Sequence, residues 1–219
     1  MQEYLEILLQ SKLFTKIRGT ELDEMLACLA PVKKNLVKGA YIYRDGEQIS
    51  SMGMVLMGSV HILKEDYWGN RTILAEIQAG QLFGEAYACS EDAKISVSAV
   101  AARDSSVLFF DVKRILTPCA SGCPFHAQLI QNLIAELAEK NIRLTGKIGH
   151  ISQRRLRDKI LSYLSDFSKK QGSSDFTIPF SRQELADYLS VDRSALSNEL
   201  SKLRNEGVLE FKRNRFRLL

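Results

Sequence analysis

SRQELADYLSVDRSALSNELSKLRNEG, residues 181–207, is the stretch that decides the fold. It opens on Ser181 with Glu184 three residues later. That is the spacing of a capping box, in which each side chain bonds the other residue's backbone N–H at a helix start. Leu185, Ala186 and Leu189 then line one face of a helix over 182–189. Ser190-Val191 makes a turn, and Asp192 has the chemistry of an N-cap for a second helix over 193–205, apolar at Leu196, Leu200 and Leu203. Gly207 closes that helix. Small Ala186 lets the two helices pack closely. The outer face of the second helix carries Arg193, Ser194, Ser197, Asn198 and Lys202. Arginine can bond guanine through two hydrogen bonds and asparagine can do the same to adenine. A short polar N-terminal face of this kind is what a helix-turn-helix lays in the major groove of double-stranded DNA.

The flanks agree with that reading. Residues 208–211 and 215–218 alternate apolar and polar around Lys212-Arg213-Asn214, a β-hairpin whose basic tip can lie on phosphates. Upstream, 176–180 reads as a short strand, 170–175 as a polar loop and 152–169 as a helix with Leu156, Ile160, Leu161, Leu164 and Phe167 inward. Residues 150–219 hold 14 Lys/Arg against 9 Asp/Glu, whereas the rest of the chain holds 16 against 17. The whole positive excess of this 219-residue chain therefore sits at the C-terminal end, as a nucleic-acid-binding region requires.

Residues 125–151 follow a heptad. Ala127, Ile134, Asn141 and Ile148 recur every seven positions, and so do Ile130, Leu137, Leu144 and Ile151. Isoleucine at a, leucine at d and one asparagine at a favour a parallel two-stranded coil, with Asn141 pairing with its twin to fix register. The expected dimer seam is Ile130, Ile134, Leu137, Asn141, Leu144 and Ile148, although a helix docked on its own domain would also carry apolar positions here.

Residues 3–30 read as helical, up to Pro31. Over 32–112, glycines punctuate short apolar and β-branched runs at 40–43, 54–56, 59–63, 72–77, 95–100 and 107–110. That pattern predicts an antiparallel barrel or sandwich, with a hairpin tip at Trp68-Gly69-Asn70 between 61–64 and 72–74.

No run of about 18 apolar residues exists to span a membrane. The N-terminus lacks the basic and apolar regions of a signal peptide, and four cysteines in this length do not make a disulfide scaffold. The expectation is a cytoplasmic protein without a membrane partner. There is no P-loop, no G-x-S-x-G elbow and only three histidines, so nothing reads as an enzyme.

At this point the sequence resembles the CRP/FNR family of bacterial transcriptional regulators over nearly its whole length. The motifs are the helix-turn-helix, the long helix from Phe125, and Gly80-Gln81-Leu82-Phe83-Gly84-Glu85, which is similar to the family's G-x-x-F-G-E segment. The resemblance implies an α+β chain in three parts. Residues 1–124 would form N-terminal helices and an antiparallel β-roll, jelly-roll-like or a double-stranded β-helix, that senses an effector. Residues 125–150 would be the dimerisation helix, and 151–219 a winged helix-turn-helix. It implies base contacts from Arg193, Ser194, Ser197 and Asn198, with phosphate contacts from Ser181, Arg182 and Gln183. Homodimers on a palindromic operator follow, and RNA polymerase is admitted as a further partner. Ser194 stands where the family often has glutamate, so its usual half-site does not carry over.

The effector pocket implied by the resemblance comprises Phe83, Gly84, Glu85, Ile95 and Ser96. In nucleotide-binding members the glutamate meets the ribose, and a downstream arginine followed by serine or threonine holds the cyclic phosphate. Here that arginine is Ile95, and a buried phosphate needs a cation or a nest of amides. The effector is expected to be a small molecule other than cyclic AMP. Glu85 reads equally well as a structural carboxylate bonded to turn amides. No cofactor and no metal site are implied.

The alternative rests on Cys119, Cys123 and His126: a redox-, haem- or small-molecule-sensing module with weak or vestigial DNA binding. Against it, two thiols packed before the long helix need no function, and the spacing is not that of common zinc sites.

Overall fold

The computed structural model describes residues 4–90, 92–117 and 125–219. Cys119 and Cys123 lie outside the described residues. The chain divides into two compact units, Met1–Ala138 and Glu139–Leu219.

The first unit begins with α1 (Leu5–Gln10), a 3₁₀ turn (Lys12–Phe14) and α2 (Gly19–Leu29). The sequence reading of 3–30 as helical therefore needs correction: the segment is broken twice. Ser11 ends α1, its hydroxyl donating to the Leu8 carbonyl at 2.7 Å. Lys16 then takes a left-handed φ of +66°, and the Arg18 amide restarts the chain by donating to Glu21 Oε2 at 2.8 Å.

Among the described residues, eight strands follow in two four-stranded antiparallel sheets. One runs β1 (Val32–Leu36), β8 (Ser105–Asp111), β3 (Ser51–Met57), β6 (Leu82–Phe83). The other runs β2 (Tyr41–Tyr43), β7 (Ser98–Ala101), β4 (Ser59–Glu65), β5 (Arg71–Gln78). Strand β3 is buried along Met52–Leu56 because both its faces are covered. Met52, Met54 and Leu56 join Leu108 and Phe110 against the helices, while Val55 and Val107 pack inside the roll with Val60, Phe83 and Ala99. The hairpin at Trp68-Gly69-Asn70 forms as expected, with Leu63 paired to Ile73 and Lys64 to Thr72. Asp66 Oδ1 holds its tip, accepting the amides of Trp68 and Asn70, each at 2.9 Å.

One strand lies outside the runs expected from sequence, and one expected strand starts late. Strand β1 carries exposed Lys33, Lys34 and Asn35, so it lacks the apolar signature, and charge on an edge strand is a device against aggregation. Ile95 does not belong to the strand expected over 95–100; its backbone pairs with the loop at Gly46 and Glu47, and the ladder begins at Ser98. Short helices α3 (Glu85–Ala88) and α4 (Val112–Leu116) complete the roll.

Helix α5 (His126–Ile151) enters both units. Leu129 and Leu133 are fully buried in the core of the first, and the Asn132 side-chain amide donates to the carbonyls of Leu13 and Thr15 at 2.8 and 2.7 Å. The adjacent d positions Ile130 and Leu137 are half-buried against that same core. At 3.6 residues per turn they flank the docked face. Ile134, Asn141, Leu144 and Ile148 are exposed.

The second unit holds α6 (Leu156–Gln171), β9 (Asp175–Thr177), α7 (Arg182–Leu189), α8 (Arg193–Asn205), β10 (Leu209–Lys212) and β11 (Arg215–Leu218). The helix expected from 152 begins instead at Leu156, because Arg155 is extended and the Ser152 amide still closes α5 on Ile148. Strand β9 stops at Thr177, short of the expected 180. The strands form one antiparallel sheet, β10-β11-β9. Ile160, Leu164, Leu185, Ala186, Leu189, Leu196, Leu200, Leu203 and Phe216 make the core.

Candidate nucleic-acid interface and sensor segment

The helix-turn-helix is set by local chemistry. The Glu184 amide donates to Ser181 Oγ at 3.3 Å, and the Ser181 amide donates to Glu184 Oε2 at 2.6 Å, which closes the capping box. The Ser181 amide first, and then the Ser181 hydroxyl, hold the Glu184 carboxyl below its usual range. Ser190 ends α7 in a left-handed conformation, φ +54°, and the Val191 amide bonds back to Ala186 at 3.0 Å. Asp192 caps α8: its Oδ1 accepts the Ala195 amide at 2.9 Å and the Ser194 hydroxyl. Ala186 is fully buried, as the close approach of the two helices demands.

With Leu196, Leu200 and Leu203 inward, helix periodicity turns Arg193, Ser194, Asn198 and Lys202 outward, and all four are exposed. Ser197 is half-exposed, and its hydroxyl donates to the Arg193 carbonyl at 2.9 Å. Among the described residues the side chains of Arg193 and Asn198 have no hydrogen-bond or ion-pair partner. Lys202 lies 3.6 Å from Glu199, and Gln183 donates to Asp187 at 2.9 Å. An arginine and an asparagine with free donor groups on the first turns of an exposed helix can read base edges. Arg182 is placed differently. It is half-buried, its guanidinium over the rings of Phe211 at 5.1 Å and Phe216 at 5.6 Å, and burial lowers its pKa from the ordinary arginine value.

The sensor segment gathers Phe83, Gly84 and Glu85 at the junction of β6 and α3. Phe83 and Glu85 are buried. Gly84 has φ +77°, and a Cβ there would meet Ile49 Cδ1 at 3.1 Å and Tyr43 Cε2 at 3.2 Å. Tyr43 is anchored by its hydroxyl, which donates to the Ser51 carbonyl at 2.6 Å. Ile95 is buried and Lys94 exposed, so no cation is turned inward at this pair. Ser96 is exposed and its hydroxyl shares a 2.7 Å hydrogen bond with that of Tyr87. A groove of about 550 Å³ in the same unit is lined by Lys34, Ile42, Tyr43, Glu47, Phe109 and Arg114 among others, and by none of the five expected pocket residues.

Two family models match the chain: a cyclic nucleotide-binding domain over residues 33–121 and a Crp-like helix-turn-helix domain over 158–219. The chain belongs to the CRP/FNR family of transcriptional regulators. A probable transcriptional regulator, flp, of Lacticaseibacillus casei is 27% identical over 92 residues. That match covers 42% of each chain, so it spans under half the length of this curated relative. Solved CRP/FNR structures share the fold. The catabolite activator protein of Thermus thermophilus is 22% identical, with a TM-score of 0.50, covering 95% of this chain and 94% of that one. The c-di-GMP-responsive global regulator CLP of Xanthomonas campestris is 20% identical, with a TM-score of 0.56, covering 92% and 99%. CprK complexed with OCPA is 17% identical, with a TM-score of 0.62, covering 89% and 91%. CRP/FNR proteins are transcription regulators, not enzymes.

Within this CRP/FNR chain, His126 is buried at the start of α5, and its Nε2 lies 2.7 Å from the Ile115 carbonyl. Against a carbonyl that nitrogen must be the donor. It is therefore engaged in the packing of α5 rather than presented as a ligand. No group of three or more metal-ligating side chains occurs among the described residues, and no described helix is long and apolar enough to cross a membrane.

Proposed function

We propose that this CRP/FNR chain acts in the cytoplasm as a homodimer that binds a palindromic operator in double-stranded DNA, under the control of an effector other than cyclic AMP. The observation that carries the reading is the outer face of α8. Ser181 and Asp192 cap the two helices, and Arg193, Ser194, Ser197, Asn198 and Lys202 follow beside a basic wing. Exposed Ile134, Asn141, Leu144 and Ile148 on α5 support dimerisation. Two copies would place their recognition helices on half-sites one DNA turn apart, about 34 Å. Effector binding in the first unit would shift the population between two arrangements of the dimer, with RNA polymerase a candidate further partner.

The sensor segment does not fit a cyclic nucleotide. Glu85 could serve a ribose hydroxyl, but where the family resemblance places the phosphate-holding arginine stands buried Ile95. Calorimetry with cyclic AMP should give no saturable heat. Tight binding abolished by Glu85→Ala would overturn this reading. A randomised-duplex selection at about 150 mM salt tests the DNA claim. Enrichment of a palindrome supports it, and sequence-independent binding under every effector condition tried would reject it.

A further inference from the structure

The wing tip is a tight turn with a non-glycine residue at positive φ. Lys212 pairs with Arg215, so Arg213 and Asn214 are the two central residues of a tight hairpin. Arg213 takes φ +56° while Asn214 does not share the left-handed region. In two-residue hairpins a left-handed first position is ordinarily glycine, because a side chain there strains the backbone. Strain of this kind persists only where surrounding contacts over-determine it, and it concentrates at functional positions.

Two contacts do so here. The Asn214 side-chain amide donates to the Ile178 carbonyl at 3.1 Å, and the Ile178 amide donates to the Asn214 carbonyl at 2.9 Å. From the other side, Arg182 Nη2 donates to the Arg213 carbonyl at 3.2 Å, with its guanidinium over Phe211 and Phe216 on the wing strands. Arg182 is the first residue of α7, placed there by the Ser181–Glu184 capping box. It thus links the helix-turn-helix to the wing. The Arg213 side chain is exposed and, among the described residues, has no hydrogen-bond or ion-pair partner.

We propose that Arg182 is a positioning residue that sets the wing tip, and that Arg213, held in the left-handed conformation, makes the wing's contact with DNA phosphate. The proposal rests on the DNA-binding reading above, and it gives Arg182 a role in placing the wing besides the phosphate contact that the family resemblance implies. A guanidinium held over two rings and bonded to a carbonyl has its position fixed from both sides. Its value lies in geometry, which lysine cannot reproduce.

The test measures affinity of the full-length protein for its selected operator across a salt series. Arg213→Gly should make the plot of log affinity against log salt shallower by about 0.9, the loss of one phosphate contact. It should weaken all sequences alike without lowering the melting temperature, since glycine accepts this backbone. Arg182→Lys keeps the charge but not the stack, and should weaken binding as much as Arg213→Gly. The double variant should then bind no more weakly than Arg213→Gly alone. Wild-type affinity for Arg182→Lys would overturn the positioning role, as would additive losses in the double variant. An unchanged slope for Arg213→Gly would overturn the phosphate contact. A wild-type protein with no sequence-selective, salt-dependent binding would instead overturn the DNA-binding reading itself.

Discussion

Gly53 on β3 is paired with Phe83 on β6 so closely that a Cβ on Gly53 would lie 2.3 Å from Phe83 Cζ and 2.5 Å from Cε1. The ring of Phe83 occupies the space that any larger residue at 53 would need. This contact holds the strand that leads into Gly84 and Glu85. Gly53→Ala should therefore cost about 1–3 kcal/mol through overpacking. Gly53→Ala/Phe83→Leu should recover part of that loss, as residues in contact do in a double-mutant cycle. Denaturant unfolding of the four proteins checks it, and strictly additive losses would show that the ring is not what Gly53 accommodates.

Arg193 carries the sharpest expectation at the DNA surface. It is exposed on the first turn of α8, behind the Asp192 cap, with an unoccupied guanidinium. A fork of this kind matches the acceptor edge of guanine. Arg193→Ala should weaken operator binding by roughly 1–3 kcal/mol and relax selectivity at a single base pair. Competition among operators substituted one position at a time reads both effects. Equal weakening on every sequence would make Arg193 a phosphate contact instead.

What the sequence displayed and what it hid divide along the range of the interactions. The Ser181–Glu184 box, the Asp192 cap and the turn at Ser190 are made by residues within three or four positions of one another, so spacing alone reveals them. Burial of Leu196, Leu200 and Leu203 follows from helix period. Strand β1 was hidden because its lysines face solvent at a sheet edge. Ile95 misled because apolar residues alternate from 95 to 99 as in a strand, while its backbone partners belong to a loop about fifty residues earlier. The position of Arg182 was invisible for the same reason: Phe211, Phe216 and the Arg213 carbonyl are about thirty residues away in the chain. The half-burial of Ile130 and Leu137 was also hidden, since a heptad does not say which of its positions the helix's own domain will cover.

Asn141 is exposed on α5, where its Oδ1 accepts the Thr145 hydroxyl at 3.3 Å. In the proposed dimer it would sit at the seam with Ile134 and Ile148. A polar residue at an a position lowers stability and fixes register and strand number. Asn141→Leu should raise the melting temperature yet broaden the distribution of oligomers seen by sedimentation equilibrium. Ile148→Asp should yield monomers with weakened operator binding. Dimers of undiminished affinity in Ile148→Asp would place the dimer contact elsewhere.

The Asp192 carboxyl is held below its usual range, first by the Ser194 hydroxyl and then by the Ala195 amide. In the unfolded chain it would titrate near the ordinary aspartate value of about 4. Between that value and the lower folded one, the unfolded state binds more protons, so stability rises with pH across this window. The contribution is complete above the unfolded value and is lost as pH falls through the folded one. Asp175 adds to the same acid limb through its bond to Arg215, and Glu184 through the capping box. The Asp192→Asn variant would still have its α8 capped, because asparagine is as good an N-cap as aspartate, but its amide cannot titrate. Asp192→Asn should therefore lie close to wild type near neutral pH and lose less stability on acidification. Urea midpoints of both proteins from about pH 7 to pH 3 decide the matter. Parallel curves over that whole range would mean that the Asp192 carboxylate contributes no more folded than unfolded.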